Sequence, residues 1–401
     1  MTLIPVDEAL ERVLEGLAPL DHETVPLAEA AGRVLAAPLT ARRTQPPFDA
    51  SAMDGYAVRA ADVTQAPAVL AVIGESAAGR RFAGKVGSGE AVRIFTGAPV
   101  PAGADTILIQ ENTERLEDGR ITATAGVAAG RHIRRAGLDF RAGETVLEQG
   151  RVLDPAALSL AAAAGHAVLP VVRRPLVAII ATGDELVPPG GEPGPDQIVA
   201  SNSCGIAALA SLDGARVLDL GIVPDERQAI AAALRQALAA GSDIAVTLGG
   251  ASVGDHDLVH QALDSEGARL SFWKIAMRPG KPMMYGRLEA ARVLGLPGNP
   301  VSALVCAHLF LRPAIARLCG RLFTPDLRQA ELAAPMEATG GRRDYVRATV
   351  TAGPRGLVAT PFEIQDSSML STLAAANALI VREAGAPASE AGARCQVLML
   401  R

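Results

Sequence analysis

The chain has 401 residues, 49% of them hydrophobic and 20% charged, which suits a folded globular protein too long for one core, so two to four domains are expected. The formal net charge of −5 argues against nucleic acid as the main partner, because phosphate-backbone binders carry a basic excess. It leaves room for a local basic pocket that takes a small anion.

Four cysteines (Cys204, Cys306, Cys319 and Cys395) lie far apart without a CxxC pair. That spacing points away from a disulfide framework or a zinc site and toward a reduced, cytoplasmic setting. The N-terminus, MTLIPVDEALERVLEGL, meets acidic residues at once and lacks the order of a signal peptide. Aromatics are only 3%, so Ala, Val, Leu and Ile must pack the cores.

In chain order, Pro5 and Asp7 open an amphipathic helix over 5–17, with Leu10, Val13, Leu14 and Leu17 on one face. A second helix is expected over 27–37. After the turn TQPPFD (44–49), short β-like runs follow: Val69–Ile73, Ala91–Phe95 and Thr106–Gln110. Residues 155–164 read as an Ala/Leu helix. The stretch from Pro155 to Val172 is the best membrane-span candidate, but Gly165, His166 and Pro170 interrupt it. It reads as a buried helix followed by a strand, with no membrane association.

From about 172, apolar strands alternate with helices: Leu176–Ala181, helix 202–212, Val217–Leu220, helix 226–240, Ile244–Leu248, a short helix after Asp255, Leu270–Ile275, Val293–Leu296 and a long helix 300–318. This is the pattern of a parallel, doubly wound α/β sheet covered on both faces. After Thr324, runs at 330–335, 344–351, 356–360, 378–382 and 395–400 read as a small all-β region.

Three loops follow predicted strands directly: ATGDEL (181–186), TLGGASVGDHD (247–257) and LPGNPVSA (296–303). In an open α/β sheet, ligands bind outside the carboxyl ends of the strands, so the three should converge on one site. Gly249, Gly250 and Gly254 let the backbone approach closely and aim N–H groups inward. Gly298 and Asn299 precede a helix whose free N–H groups attract anions, and Ser302 adds a hydroxyl. KIAMRPGKP supplies Lys274, Arg278 and Lys281. The acids Asp184, Glu185, Asp225, Asp255 and Asp257 suggest Mg²⁺ beside a phosphate, or hydrogen bonds to ligand N–H groups. Two chemistries stay open: metal-assisted reaction at a phosphoric anhydride, and recognition of a nucleobase- or pterin-like ring.

Neither GxGxxG nor a Walker A loop is present. His256 and His260 are i, i+4 without the intervening Glu of HExxH and are read as non-metal, and His308 as a core residue. In PPFDASAMDGYAVR (46–59), Met53 looks buried beside Asp54 and Gly55.

PPFDASAMDGYAVR, RIFTGAPVPAGAD, IRRAGLDF, ATGDEL, TLGGASVGDHD, FWKIAMRPGKP and LPGNPVSA run in this order over nearly the whole chain. Together they resemble the molybdopterin molybdenumtransferase family, which is also represented by the E domain of gephyrin. The resemblance implies a multi-domain α/β protein. Its parts would be an N-terminal helix (1–20) near the molybdopterin-binding α/β domain (172–322), a linker domain (21–44 and 141–171), a β-rich domain (45–140) and a C-terminal β-barrel-like domain (323–401).

It further implies a cytoplasmic homodimer that inserts molybdate into adenylylated molybdopterin and releases AMP with Mg²⁺. Implied catalytic positions are Asp54, Thr96, Asp139, Glu185, Asp225, Asp257, Lys274 and Lys281, with Glu185, Asp225 and Asp257 as metal ligands. Substrate positions are Gly249, Gly250, Ser252, Gly254, Arg278, Pro297, Gly298, Asn299, Pro300, Ser302, Arg347 and Ser367. Arg278 stands where many relatives have Lys, and the DSS at 366–368 replaces a more usual Gly-Ser-Gly. Implied partners include the molybdopterin adenylyltransferase and apo-molybdoenzyme chaperones. The competing functions are molybdopterin adenylylation itself and a non-catalytic, gephyrin-like scaffold.

Overall fold

The computed structural model describes residues 3–250 and 258–401. The chain divides into two compact units: Met1–Glu23 with Val172–Arg401, and Thr24–Val171.

The first unit is built on a six-stranded sheet, in the spatial order Arg216–Val223, Leu176–Thr182, Ile244–Leu248, Ala291–Leu296, Met284–Leu288 and Arg269–Phe272. The first four are mutually parallel, and the strand Met284–Leu288 runs against both of its neighbours. The expected parallel, doubly wound sheet is present, with one antiparallel strand, Met284–Leu288, set within it. The reversal follows from the tight turn at Glu289 and Ala290: a connection this short can only join antiparallel strands. The strand expected over Leu270–Ile275 spans Arg269–Phe272, and Met284–Leu288 was not anticipated.

Helices cover both faces. On one, the N-terminal helix Val6–Leu14 and helices Asn202–Leu212 and Pro300–Leu318 bury Val13, Ile206 and Phe310 against Val177, Val246 and Leu294. On the other, Arg227–Ala239 and Leu258–Ser265 bury Leu234 and Leu263 against Ile180 and Val293. The helix Pro300–Leu318 is long and apolar enough to cross a membrane, but 72% of its apolar window is buried inside the chain. It begins with Pro at the first helical position, which costs no hydrogen bond there. It loosens into a π turn at Ala307–Leu311, just before Pro313, whose ring cannot accept the regular ladder.

The C-terminal strands Leu327–Leu332, Arg343–Gly353, Gly356–Pro361, Ala378–Arg382 and Arg394–Met399 close into a barrel, because Arg343–Gly353 pairs with both Gly356–Pro361 and Ala378–Arg382. Its core is Leu332, Ala348, Ala359, Ile380 and Val397. The short strand Met277–Arg278 extends from the α/β region to pair in parallel with Arg343–Asp344. Arg343 also binds Asp7 of the N-terminal helix through both carboxylate oxygens, at 2.7 and 2.8 Å.

The second unit holds a six-stranded sheet, ordered Thr106–Ile109, Gly55–Val58, Glu90–Ile94, Ala68–Ser76, Ile121–Ala123 and Thr113–Arg115. A separate cluster, including Leu35, Leu39, Leu153 and Leu169, packs under the helix Pro155–Ala163.

Three expectations in this unit are corrected. Residues 27–37 form only a short 3₁₀ turn at Leu27–Glu29. Beyond Gly32, at φ +70°, the chain is extended, with Val34 bridging Val152 and Leu35 bridging Val171. Long-range pairing there overrides the helix propensity of an Ala-rich run. The helix Pro155–Ala163 buries only one face, through Ala157 and Ala161, and is not enclosed. Met53 is 40% exposed, not buried.

Candidate active site

Loops at the carboxyl ends of three parallel strands, together with the segment 198–203, enclose a cleft of about 480 Å³ in the first unit. Glu185 comes from ATGDEL, Gly249 and Gly250 from TLGG, and Pro297, Gly298, Asn299 and Pro300 from PGNP. Asp225 enters after the strand Arg216–Val223, and Pro282 is the last residue of the PGKP turn. The convergence expected of these loops is present.

Glycine is required at the contacts between them. Gly249, at φ +96°, would put a Cβ 2.6 Å from the Thr182 carbonyl oxygen, and Gly250, at φ +62°, would put one 2.3 Å from Val259 Cγ2. Only glycine tolerates both the conformation and the approach. A Cβ on Gly298 would lie 3.7 Å from Gly249 Cα, so the PGNP and TLGG turns face each other at van der Waals distance. Gly280 likewise leaves no room for a side chain beside Cys306 Sγ, which seats the PGKP turn on the long helix.

The electrostatics divide the cleft. On its acidic side, burial first, then the charges of Asp184 and Glu185, raise the pKa of Asp225. Asp184 accepts a hydrogen bond from the Asp225 N–H at 3.1 Å. These are hard oxygen donors of the kind that hold Mg²⁺. Among the described residues, no three His, Cys, Asp or Glu groups gather closely enough to hold a metal ion. Asp257, the third expected ligand, lies outside the described residues, as do Ser252 and Gly254.

Several donors expected to face an anion already have protein partners. The Gly249 N–H donates to the Leu296 carbonyl at 3.2 Å, and the Val301 N–H donates to the Ser367 carbonyl at 3.1 Å. Pro300 has no N–H to give. The start of the long helix is therefore largely satisfied by the protein itself.

Family comparisons agree along the whole chain. Residues 4–165 match the MoeA N-terminal region (domain I and II), residues 178–317 a probable molybdopterin binding domain, and residues 329–400 the MoeA C-terminal region (domain IV). The molybdopterin molybdenumtransferase of Haemophilus influenzae is 38% identical over 95% of either chain. That of Bacillus subtilis is 35% identical over 100% of this chain and 95% of its own length. The chain belongs to the molybdopterin molybdenumtransferase family. A solved molybdopterin biosynthesis MoeA protein from Pyrococcus horikoshii superposes with a TM-score of 0.83 at 30% identity, covering 99% of this chain and 100% of that one. The chain is thus an enzyme of molybdenum cofactor biosynthesis with the multi-domain α/β fold of that family, including its closed C-terminal barrel.

Within this molybdenumtransferase fold, the remaining predicted residues fall into distinct settings. Asp54 and Thr96 meet in the second unit: one Asp54 carboxylate oxygen accepts from the Thr96 N–H at 2.7 Å and from its hydroxyl at 2.9 Å. Those bonds, the backbone one first, lower the Asp54 pKa. Asp139 is exposed on the IRRAGLDF loop, whose Ile133 and Arg134 pair with Ser51 and Ala50 just before Asp54.

Arg278 does not line the cleft; it is ion-paired with Asp344 on the barrel. Lys274 and Lys281 also lie outside the cleft lining. Ser302 is only 4% exposed and is likewise not part of the lining. Arg347 is 1% exposed and donates to Gln365 Oε1 at 3.1 Å and to the Asp366 carbonyl at 2.8 Å. It holds the 365–369 loop. Ser367 reaches the cleft through Asn299, whose side-chain amide donates to its hydroxyl at 3.0 Å. His308, expected in the core, has its pKa lowered to about 4 by burial and by Arg312. His260 stacks on Trp273 with ring centroids 4.6 Å apart.

The segment 198–203 was not anticipated as part of the cleft. Ile198 and Val199 pair in parallel with Leu186 and Val187, and Ser201, Asn202 and Ser203 line the cleft at the start of a helix. The available signal was ASNS (200–203) across the start of the predicted helix 202–212, a helix-start pattern left unused.

Proposed function

We propose that this molybdenumtransferase cleft takes adenylylated molybdopterin and molybdate, and that the phosphoanhydride is cleaved with release of AMP as molybdenum enters the dithiolene. The observation that carries the reading is the pairing, in one cleft, of Glu185 and Asp225 with the close-packed glycine turns of TLGG and PGNP. Glycine turns bring the backbone within reach of phosphoryl oxygens, while two carboxylates alone would repel them. The carboxylates fit a hard cation, so Glu185, Asp225 and Asp257 would hold Mg²⁺. When bound, that ion offsets negative charge at the anhydride oxygens.

The protein's own part is placement. Gly249, Gly250 and Gly298 set the floor, and Pro297 and Pro300 stiffen the turn between strand and helix. Lys274 and Lys281 supply positive charge to the surroundings, Arg278 acts through its ion pair with Asp344, Arg347 holds the loop that carries Ser367, and Ser302 stands buried in the first turn of the long helix. Asp54, Thr96 and Asp139 are further catalytic positions in this reading. The reading extends to a cytoplasmic homodimer that receives substrate from the molybdopterin adenylyltransferase and hands product to apo-enzyme chaperones.

The test is a comparison of substrates with the purified chain. Adenylylated molybdopterin with molybdate and Mg²⁺ should yield AMP and molybdenum cofactor. Molybdopterin with ATP should yield nothing; an adenylylated product from that mixture would contradict the reading.

A further inference from the structure

Asn202 stands at the first turn of the helix Asn202–Leu212 and lines the cleft. Its side-chain amide donates to the Gly298 carbonyl at 2.7 Å, across 96 residues of sequence. One turn further on, Gly205 faces Leu304, where a Cβ would stand 3.1 Å from Leu304 Cδ2. The helices Asn202–Leu212 and Pro300–Leu318 therefore pack closely at their first turns, and the Asn202 bond joins their starts. Gly298 in turn abuts Gly249.

We infer that Asn202 is a positioning residue for the substrate: it fixes the direction of the Gly298 carbonyl, and with it the orientation of the PGNP turn against TLGG. This rests on the reading that the cleft holds adenylylated molybdopterin. The physical need is specific. A carbonyl oxygen turned freely into an anion-binding cleft repels phosphoryl oxygens, and an amide donor at 2.7 Å holds its lone pair away from them. Asn202 is only partly buried, so water can replace the amide after its removal. Stability should then change little, while substrate affinity should change.

The experiment compares the full chain with Asn202→Ala, Asn202→Asp and Asn202→Ser, reading AMP release and thermal unfolding. For Asn202→Ala, KM for adenylylated molybdopterin should rise about fivefold to tenfold, with kcat within about twofold, the pattern of lost binding that acts equally on ground and transition states. The unfolding temperature should stay within about 2 °C. Asn202→Asp sets a carboxylate against the carbonyl and should raise KM further. Asn202→Ser keeps a donor on a shorter arm and should recover part of the loss. An unchanged KM, or a fall in kcat alone, overturns the inference. So does a loss that tracks the unfolding temperature across the variants.

If the wild-type chain released no AMP, the functional reading would fail separately. Hydrogen exchange on the substrate-free protein then tests the positioning itself. Exchange at Val301 and Ala303, whose N–H groups donate to Ser367 and Asn299, should accelerate in Asn202→Ala. Identical exchange would overturn the inference.

Discussion

Asn299 donates its side-chain amide to Ser367 Oγ at 3.0 Å, while the Ser367 carbonyl accepts the Val301 N–H at 3.1 Å. One serine of the barrel region thus satisfies both the PGNP turn and the start of the long helix. Ser367→Ala keeps the carbonyl and removes only the hydroxyl. It should cost about 0.5–1.5 kcal/mol in urea unfolding, the usual worth of one hydrogen bond. An effect above about 3 kcal/mol would mean that the whole 365–369 loop depends on that hydroxyl.

Arg347 separates two roles. It is 1% exposed and committed to Gln365 and the Asp366 carbonyl. Arg347→Met should destabilise the protein by about 1.5–3 kcal/mol, because the 365–369 loop loses the charge-assisted hydrogen bonds of the guanidinium. A variant with unchanged stability and a raised KM for molybdate would instead identify Arg347 chiefly as an oxyanion ligand.

Asp225 has a raised pKa, from burial and from Asp184 and Glu185. The folded state therefore binds this proton more tightly than the unfolded chain. The associated stability is complete below the ordinary value of 3.8 and is lost as pH rises through the raised pKa. Asp225→Asn should accordingly gain in unfolding temperature over wild type as pH is raised from about 3.5 to about 7. Mg²⁺ at neutral pH should raise the wild-type transition more than that of the variant. Parallel pH profiles for the two proteins would show that the carboxylate cluster carries no such strain.

Gly249 combines φ +96° with a neighbouring carbonyl oxygen 2.6 Å from any Cβ. Gly249→Ala should cost about 1–3 kcal/mol and reduce activity with it. Full stability in chemical denaturation would mean that the TLGG turn rearranges freely.

Much of this was legible in the residues, for physical reasons that also explain the failures. The strands Leu176–Thr182, Ile244–Leu248 and Ala291–Leu296 are mostly apolar because helices cover both faces of the sheet, so they stand out as apolar runs despite Thr247 and Arg292. The loops after them carried the cleft. Residues 27–37 misled because Ala and Leu favour a helix locally, whereas the pairing of Val34 with Val152 and of Leu35 with Val171 is set far away in sequence. Met284–Leu288 escaped notice because it contains Gly286 and Arg287, and its place comes from antiparallel pairing on both sides. The surroundings of Arg278 and Arg347 were illegible for another reason. Charge is visible in a sequence, but whether a carboxylate or carbonyl of the same chain already occupies it is not. Asp344 takes Arg278, and the 365–369 loop takes Arg347.

The most direct test of the whole account is AMP release by the purified chain from adenylylated molybdopterin, with molybdate and Mg²⁺ supplied or withheld, in wild type and Asp225→Ala. The account predicts release that requires both additions and falls by about a hundredfold or more in the variant, the scale of a lost metal-ligating carboxylate. Release that proceeds equally in the variant, or without molybdate and Mg²⁺, would contradict it.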